Sequence, residues 1–529
     1  MASGLSLLGG APRRLAFRPP GDWIGDADAA HEMLSGRFRL GGGVAEASPE
    51  AGPWRLTPPG PGFARALHRF DWLADLAAAD TEGARDAARR WTFGWIAQAE
   101  GQAARMPALA WEAETTAVRL LAWLERADLL IAADPALERQ LAGAADAHLR
   151  RLKRAQAAPG LPTLAVACAV FAGTLALESS TRRREQALSQ LEAAADEAVG
   201  ADGGLASRNP EALCESLIRL ETAAAQAEAA GLAPGRAFSA ALARAGAALR
   251  VLRLRDGGLG RFHGGGPGRS GRLDHALNRA RPAQGQGPGE TAMGFVRLAA
   301  GRTAILIDAA PPPDGPLAHA STLAFEFTVG RRRLVANCGP GDGFGGDWAA
   351  ACRATAAQST LSLAGVSSSR VAEGGDGGFS SRPAQVQAET AKDLDGAWFL
   401  GGHDGYLAQH GLLHSRRLFL SPDGRDFRGE DALEAPGGAA PTRASDFALR
   451  FHLPPDVADL AEELPDGGVR LDLPEGAWEF AARGGEVRLD ESVHLDAERR
   501  APAAARQIVV AARLASDGAR VVWAFTRAA

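Results

Sequence analysis

Hydrophobic residues recur at helical spacing through the first half of the chain. From about Phe63 to Arg255, blocks rich in alanine, leucine, arginine and glutamate alternate with turn-forming segments such as AADPALE, GADGG and GLAPG. In AVRLLAWLERADLLIAA, for example, Val118, Leu121 and Leu124 lie on one face, with charged residues between them. Because each such helix needs neighbours to cover its apolar face, the pattern predicts an all-α domain over residues 61–285, arranged as a toroid or an incomplete α/α barrel.

The pattern changes near residue 285 to the alternation typical of β-strands. In STLAFEFTVGRRRLVANCG, Leu323, Phe325 and Phe327 alternate with a second set that includes Glu326, and the chain turns near Gly330. Two more segments, LLHSRRLFLSPDGRDFRGEDAL and RQIVVAARLASDGARVVWAFTR, each predict a hairpin with an Asp-Gly turn. Short strands at a spacing of about 8 to 12 residues predict an antiparallel β-sandwich over residues 286–529.

The predicted fold class is therefore α+β, with an all-α domain followed by a β-sandwich. Residues 1–60, rich in proline, glycine and tryptophan, are predicted to form an extension packed on the helical domain. The length of 529 residues fits two large domains.

Composition and charge narrow the function classes only slightly. With 46% hydrophobic and 23% charged residues and a net charge of -5, the chain has no basic excess that would indicate a nucleic-acid partner. Cys168, Cys214, Cys338 and Cys352 have no C-x-x-C spacing, so we predict buried thiols rather than a zinc site or a disulfide framework.

The apolar segments indicate neither export nor a membrane span. The N-terminal residues contain no continuous apolar stretch before a small-residue cleavage site, so a secretory signal is not evident. The most apolar segment, Leu161 to Leu177, is predicted to be a helix buried inside the helical domain. The compartment is left open by these features.

A glycine-rich segment, RDGGLGRFHGGGPGRSGR, runs from Arg255 to Arg272. It contains no lysine, which a P-loop requires, and it follows helices rather than a strand, which excludes the dinucleotide-binding fingerprint. We predict a loop that closes the helical domain beside a groove. His263 is its one candidate for proton transfer.

A second candidate lies in DGGLASRNPEALCESLIRLE. Asn209 followed by Pro210 is a strong helix start, with asparagine as N-cap and proline at the first helical position. Asn209 and Arg208 are candidates for binding an anionic ligand at that helix N-terminus. The alternative is that Asn209 only caps the helix and Arg208 is solvated.

The predicted β-domain contains most of the remaining candidates. His319 precedes the strand in LAHASTLAFEF, and GGHDGYLAQHGLLHSRR contains His403, His414 and Tyr406, the only tyrosine of the chain. A histidine at the start of a strand is more often structural than catalytic, and the spacing from His403 to Tyr406 is not a zinc signature. No G-x-S-x-G, H-E-x-x-H or kinase motif is present.

Several segments together resemble the heparinase II/III family. They are LHRFDWLADL, AVRLLAWL, DGGLASRNPE, STLAFEFTVGRRRLVANCG, RATAAQSTLSL and GHDGYLAQHGLLHSRRLFLSPDG, which cover nearly the whole chain in the order helical domain, then β-domain. The resemblance implies a helical toroid followed by a β-sandwich. It also implies a polysaccharide lyase that cleaves uronic-acid-containing glycans by β-elimination in a cleft between the two domains.

β-Elimination requires neutralisation of the uronate carboxylate, a base for the neighbouring proton and an acid for the leaving oxygen. The expected partner is thus an acidic polysaccharide or oligosaccharide, with no nucleic acid and no membrane span. The predicted proton-transfer residues are His319, Tyr406, His403 and His263. The predicted substrate-binding residues are Arg208, Asn209, Arg353 and Gln358.

The sequence departs from the family at the residues that move protons. Where the resemblance places the family's Tyr-His pair, after a turn like DGGLASRNP, this chain has Ala212 and Leu213. Neither side chain can transfer a proton.

The positions that hold zinc in family members are also changed. The resemblance places Leu317, His319 and Ser321 at an H-x-H-x-D motif, Asn337 at an aspartate position and Gln358 at a histidine position. One imidazole does not hold zinc tightly, so we expect no metal, and we expect no other cofactor.

Three functions stay open from the sequence. The first is a divergent lyase acting on an acidic glycan. The second is a non-catalytic family member that binds a glycan or a protein during envelope-polysaccharide assembly. A weaker third is a glycoside hydrolase, which needs two carboxylates about 5 to 9.5 Å apart. The sequence identifies neither the glycan nor the oligomeric state.

Overall fold

The computed structural model describes residues 14–102, 105–156, 163–280, 289–344, 347–372, 377–438, 446–496, 502–515 and 518–528. The chain forms two compact units. The first contains Met1–Val199 and Glu215–Leu242, and the second contains Gly200–Cys214 and Ala243–Ala529. The predicted boundary between residues 285 and 286 lies outside the described residues. The predicted domain limits and this division differ, because residues 200–214 and 243–280 group with the strands.

Helices dominate the chain up to residue 279, as the periodicity predicts. Two short strands, β1 (Arg37–Leu40) and β2 (Gly43–Glu46), form a hairpin in the N-terminal residues. The helices are α1 (Ala27–Leu34), α2 (Pro61–Arg69), α3 (Leu73–Ala79), α4 (Glu82–Gln102), α5 (Ala113–Glu125), α6 (Ala127–Ile131), α7 (Pro135–Ala155), α8 (Leu164–Leu177), α9 (Thr181–Ala198), α10 (Pro210–Ala229), α11 (Arg236–Leu252) and α12 (Ser270–Arg279).

The local sequence accounts for how these helices begin and where they lie. In the predicted turn AADPALE, Asp134 accepts a hydrogen bond from the backbone N–H of Ala136, and Pro135 occupies the first position of α7. Helix α8 is apolar on all sides and is buried along nearly its whole length, as predicted for this segment. In the described part of the chain, no helix is long and apolar enough to cross a membrane.

The core of the first unit contains a buried arginine. Arg119 of α5 lies with its guanidinium carbon 4.2 Å from the ring centre of Trp95. Its Nε donates to Nε2 of His148 at 3.0 Å, and its two terminal nitrogens donate to the carbonyls of His68 and Ala110 at 2.7 and 2.9 Å. Burial lowers the pKa of this guanidinium to about 9. One side chain therefore joins α2, α5, α7 and the short turn Ala108–Trp111.

Arg119→Lys should destabilise the first unit by about 2–4 kcal/mol. A single ammonium cannot reach three acceptors that the planar guanidinium satisfies together, and each abandoned buried acceptor costs free energy. Urea unfolding followed by tryptophan fluorescence would measure the loss. Arg151→Lys, at an exposed arginine that stacks on Trp111, is the matched control and should change stability by less than about 1 kcal/mol. Equal effects of both substitutions would contradict this role for Arg119.

Besides α12 and the adjoining parts of α10 and α11, the second unit contains the strands from β3 onward and three short helices, α13 (Trp348–Ala351), α14 (Leu407–His410) and α15 (Pro455–Ala458). The strands are β3 (Thr291–Ala292), β4 (Phe295–Ala300), β5 (Thr303–Asp308), β6 (Phe325–Val329), β7 (Arg332–Val335), β8 (Leu361–Leu363), β9 (Arg370–Val371), β10 (Phe379–Ser381), β11 (Val386–Lys392), β12 (Ala397–His403), β13 (Leu413–Leu420), β14 (Asp426–Glu434), β15 (Asp446–Leu453), β16 (Ala461–Glu463), β17 (Val469–Leu471), β18 (Trp478–Arg483), β19 (Glu486–His494), β20 (Ala503–Arg513) and β21 (Ala519–Arg527).

All strand pairs in these sheets are antiparallel, as predicted. A five-stranded sheet has the order β3-β4-β5-β6-β7, and a four-stranded sheet has the order β19-β20-β15-β8. An eight-stranded sheet has the order β11-β12-β13-β14-β21-β18-β17-β16. Their inward side chains form one apolar core, in which the ring of Phe325 stacks on Trp523 with centres 5.7 Å apart.

Two of the three predicted hairpins are confirmed, and one is wrong. Strands β6 and β7 pair around Gly330, and β13 and β14 pair around the Pro-Asp-Gly turn. Strands β20 and β21 do not form a hairpin, because β20 pairs with β15 and β19 whereas β21 pairs with β14 and β18. The chain crosses from one sheet to another at this point. Alternation predicts strands but not their partners.

The more polar face of β6 is buried as well as its apolar face. Glu326 has no exposure to solvent, although the alternation places it on the more polar side. Its carboxylate accepts from Nη1 of Arg333 at 2.7 Å and from the backbone N–H groups of Asn337 and Arg261 at 2.9 and 3.1 Å. Burial is thus compensated by an ion pair and backbone donors.

Candidate functional site

A buried carboxylate at the end of β5 organises the first cluster of candidate residues. Asp308 has no exposure to solvent. One of its oxygens accepts from Arg208, and the other accepts from the hydroxyl of Ser321 at 2.6 Å and lies 3.3 Å from Nε2 of His263. The guanidinium of Arg208 and these hydrogen bonds hold the pKa of the Asp308 carboxyl well below its usual range. Asp308 is therefore ionised and fully paired.

Arg208 is not a solvated side chain, and its guanidinium has no donor left over for a ligand. The backbone of this residue has a positive φ of 51°, and its side chain is largely buried. Besides Asp308, the guanidinium donates to the carbonyls of Met293 (2.8 Å), Gly294 (3.0 Å), Pro311 (2.7 Å) and Ala310 (3.4 Å). The structure therefore favours a structural role for Arg208.

Asn209 caps α10, as the sequence predicts. Its side-chain oxygen accepts from the backbone N–H of Ala212 at 3.0 Å. Two residues further along the chain, Glu211 accepts from the backbone N–H of Gly266 at 2.8 Å. A Cβ on Gly265 would lie 2.5 Å from the Asn209 side-chain oxygen, so the loop can approach the helix only with glycine there. The glycine-rich segment thus packs against the start of α10.

His263 and His319 interact through reciprocal hydrogen bonds with each other's backbone. The N–H of His319 donates to Nδ1 of His263 at 3.2 Å, and the N–H of Gly264 donates to Nε2 of His319 at 3.1 Å. Because each of these ring nitrogens accepts, the proton of His263 lies on Nε2, facing Asp308, and the proton of His319 lies on Nδ1. Burial lowers the pKa of both rings, that of His319 to about 3. Both rings are therefore neutral, and both basic lone pairs are occupied.

Arg353 and Gln358 lie on the segments that adjoin His319. Nε of Arg353 donates to the carbonyl of Ala318 at 2.9 Å, and its guanidinium carbon lies 5.0 Å from the ring centre of Phe379. The amide nitrogen of Gln358 donates to the carbonyl of Cys352 at 2.7 Å. Among the described residues, the buried polar atoms of this cluster that lack a hydrogen-bond partner include Nδ1 of His319, Nη2 of Arg353, Oε1 of Gln358 and Nε2 of His263, the last of which lies 3.3 Å from Asp308.

His403 belongs to a separate buried network on the eight-stranded sheet. Its Nδ1 accepts from the N–H of Gly405 at 3.1 Å, so its Nε2 donates to Nδ1 of His414 at 3.1 Å. Nε2 of His414 then donates to Asp431 at 2.7 Å. Asp431 also accepts from Nε of Arg416 at 2.7 Å. Every ring nitrogen in this chain of hydrogen bonds has a partner, and burial lowers the pKa of both histidines.

Tyr406 lies in the apolar core of the second unit. The residue is 1% exposed, and its hydroxyl donates to the carbonyl of Leu361 at 2.8 Å. Burial raises the pKa of this hydroxyl above its ordinary value. The structure therefore brings together His263, His319, Arg208 and Asn209, with Arg353 and Gln358 beside them, but it holds His403 and Tyr406 elsewhere. The position of Tyr406 favours a structural role over the predicted proton transfer.

Comparison with known proteins gives the family. A family model described as "Heparinase II/III-like, C-terminal" matches residues 288–524. FtsZ-localized protein C of Caulobacter vibrioides is 33% identical over 547 residues, which cover 98% of this chain and 91% of that relative. The chain belongs to the heparinase II/III family.

Solved structures of polysaccharide lyases share the fold of this heparinase II/III-family chain. Heparinase III aligns with a TM-score of 0.75 at 13% identity, covering 97% of this chain and 87% of that one. A mutant of heparan sulfate lyase HepC from Pedobacter heparinus aligns with a TM-score of 0.61 at 14% identity, covering 94% and 82%. Together with the observed helices and sheets, these similarities confirm the predicted helical toroid followed by an antiparallel β-sandwich.

The residues at the family's zinc positions do not fit a metal. Leu317 is 43% exposed and carries no donor atom, and Ser321 donates its hydroxyl to Asp308. The side-chain oxygen of Asn337 accepts from the N–H of Ser359 at 2.9 Å, and Nε2 of His319 accepts from Gly264. Within the described ranges, no group of three or more His, Cys, Asp or Glu residues could hold a metal ion. All four cysteines are free and buried, as predicted.

Sequence reasoning missed the buried charges that organise both clusters. Asp308 ends the strand TAILID, and Asp431 and Arg416 occupy inward positions of β14 and β13. A charged residue at an inward position of an apolar strand is the signal that could have identified them, because burial requires a partner. Arg416 also donates to the carbonyls of Leu323 and Ser359 at 2.6 and 3.1 Å. It thereby ties the sheet to the segments that carry His319 and Gln358.

Asp431→Asn should lower the unfolding free energy by about 3–5 kcal/mol. The substitution keeps the shape but leaves the guanidinium of Arg416 buried without a carboxylate. Trp523 donates to Asp431 at 2.9 Å, so urea unfolding followed by tryptophan fluorescence reports on this region. Glu430→Gln, on the same strand in exposed ion pairs with Arg417 and Arg520, should cost less than about 1 kcal/mol. A similar loss in both variants would argue against the network as a support of the fold.

Proposed function

We propose that this chain is a non-catalytic heparinase II/III-family protein that works at the FtsZ-dependent division site and binds an acidic envelope glycan without cleaving it. The proposal retains the family's expected ligand but not the β-elimination. It follows the second of the functions that the sequence leaves open.

The occupied lone pairs of His263 and His319 carry this proposal. A general base must present a free lone pair within hydrogen-bond reach of the substrate proton. Nδ1 of His263 and Nε2 of His319 instead accept from backbone N–H groups, and Nε2–H of His263 faces Asp308. Breaking these contacts would leave buried backbone donors unpaired, which opposes any rearrangement toward catalysis.

The start of α10 supports the same conclusion. At the positions of the family's Tyr-His pair, Ala212 donates its backbone N–H to the cap and Leu213 is completely buried. The hydroxyl of Tyr406 is bonded to a carbonyl inside the core. None of these groups is available for a proton transfer to a glycan.

The relative that aligns along nearly the whole chain supports the location. FtsZ-localized protein C is named for its position with FtsZ rather than for an enzymatic activity, and the alignment leaves out little of either protein. The similarity to solved lyases, at 13–14% identity, supports only the fold.

Incubation with a panel of uronic-acid polysaccharides should yield no unsaturated product. The measurement is ultraviolet absorbance, with heparinase III as the positive control. The same polysaccharides should bind in isothermal titration calorimetry, whereas neutral polysaccharides should not. Product formation that is abolished by His319→Ala would establish the divergent lyase instead. No binding to any acidic polysaccharide would refute the glycan ligand.

A fluorescent fusion of the full chain should form a band at the division site in cells that carry FtsZ. Depletion of FtsZ should disperse that band within the time that FtsZ itself is lost. The Asp431→Asn variant weakens the fold but leaves the surface unchanged. Its localisation therefore shows what destabilisation alone does to the band. A band that persists without FtsZ would contradict the proposed location.

A further inference from the structure

The helical unit contains a small cavity that none of the candidate residues lines. Its volume is about 20 Å³, and its walls include Trp23, Asp71, Leu73, Glu125, Arg126 and Arg219. Leucine, valine and alanine side chains of α3 and α5 form most of the apolar remainder. All of these residues belong to the first compact unit.

Arg219 of α10 is a buried cation without a hydrogen bond. Its side chain is 9% exposed, and its guanidinium carbon lies 4.6 Å from the ring centre of Trp23. The nearest carboxylate is that of Glu215, one turn earlier on the same helix at 3.7 Å, which exceeds hydrogen-bond distance. Among the described residues no acceptor takes its N–H groups. Its N–H groups are therefore open to the cavity, where an acceptor on a ligand can meet them.

Glu125 of α5 lines the same cavity and is half-buried. No ion pair within 4 Å joins its carboxyl to Arg126 or Arg219 in the described part of the chain, and Arg126 instead donates to the carbonyl of Trp23 at 2.6 Å. Removal from water raises the pKa of Glu125 to about 7, and the charges of Asp71 and Asp22 act in the same direction. The carboxyl is therefore protonated in a large fraction of molecules near neutral pH and offers an O–H donor.

These donors and the size of the cavity determine what it can hold. The guanidinium of Arg219 attracts an anion, and a purely apolar group would leave it without an acceptor. A carboxylate matches the guanidinium fork and accepts from a protonated carboxyl. A volume of about 20 Å³ admits a group little larger than a water molecule, and so excludes a whole sugar ring.

We propose that this cavity binds the carboxylate group of a ligand, held by the guanidinium of Arg219 and the O–H of Glu125. The rest of the ligand lies outside, beside the half-exposed Asp71 and Arg126. A sugar carboxylate and the C-terminal carboxylate of a peptide supply the same chemistry. The first of these sources rests on the proposed glycan binding, whereas the second does not.

Calorimetric titration of the full chain at pH 6 tests the site. The probes are glucuronate and N-acetyl-alanine, with glucose and N-acetyl-alaninamide as their uncharged counterparts. Binding of either carboxylate supports the site, and binding of only one of them identifies its source. No binding, or equal binding of a carboxylate and its uncharged counterpart, would overturn the inference.

Substitutions locate that binding in the cavity. Arg219→Gln should weaken the carboxylate at least about tenfold, because a charge-assisted bidentate contact is lost. Arg85→Gln removes an exposed arginine of the same unit, which pairs with Asp80, and should leave the affinity unchanged. Retained affinity in a folded Arg219→Gln protein would overturn the inference. Far-ultraviolet circular dichroism and the thermal midpoint monitor the fold, since Arg219 also stacks on Trp23.

The pH profile provides an independent measurement that does not depend on Arg219. Affinity should fall by up to about tenfold per pH unit above pH 7, because an ionised Glu125 repels the ligand and no longer donates. The other groups facing Glu125 are Asp22, Asp71, Arg126 and Arg219. Glu125→Gln keeps the shape and a donor, so it should bind at pH 6 and show a flat profile. If the affinity of Glu125→Gln still fell with pH as steeply as that of the unchanged protein, the role given to Glu125 would be overturned.

The outcomes also separate this site from the proposed function. Polysaccharide binding that is unaffected by Arg219→Gln would refute the cavity and leave the proposed function intact. Carboxylate binding in a protein that binds no polysaccharide would retain the cavity and refute the glycan ligand.

Discussion

Asp308 must be compensated because it ends an apolar strand inside the second unit, where an unpaired carboxylate would cost several kcal/mol. Arg208 supplies the charge, and Ser321 and His263 supply the remaining contacts. This requirement holds Arg208, two residues before α10, against the end of β5. It also orients His263, whose ring then accepts from His319. The arrangement of the candidate site is thus a consequence of keeping one carboxylate ionised in the interior.

The second network follows the same physical rule in another sheet. Asp431 receives Arg416, His414 and Trp523, so its charge is fully paired between β13, β14 and β21. Arg416 uses its remaining donors on backbone carbonyls of the segments that carry His319 and Gln358. Both networks therefore contact the segment that follows His319, one through Ser321 and the other through Leu323. Their histidines serve as hydrogen-bonded links rather than as groups free to titrate.

The contrast between these networks and the helical cavity distinguishes structural from ligand-binding charges. In both networks of the second unit, the buried guanidinium groups meet a carboxylate or a carbonyl at hydrogen-bond distance. Arg119 in the first unit likewise satisfies its donors with neutral acceptors and aromatic faces. Arg219 differs, since its side chain is 9% exposed, lines a cavity and donates to no described residue. A largely buried guanidinium whose N–H groups stay open to a cavity is a feature that suits a binding site.

The fold class, the helix start at Asn209, the antiparallel strands and the family could all be predicted from the amino-acid sequence, because they depend on local periodicity, capping and motifs. Which residues meet depends instead on the tertiary structure. Alternation could not show that β20 and β21 lie in different sheets, since strand partners depend on long-range packing. It also could not show that Tyr406 points into the core, that both lone pairs of the His263 and His319 pair are occupied, or that Arg219 donates to none of the described residues. Burial and hydrogen-bond direction arise from contacts between residues far apart in the chain, and they separate a reactive side chain from a structural one.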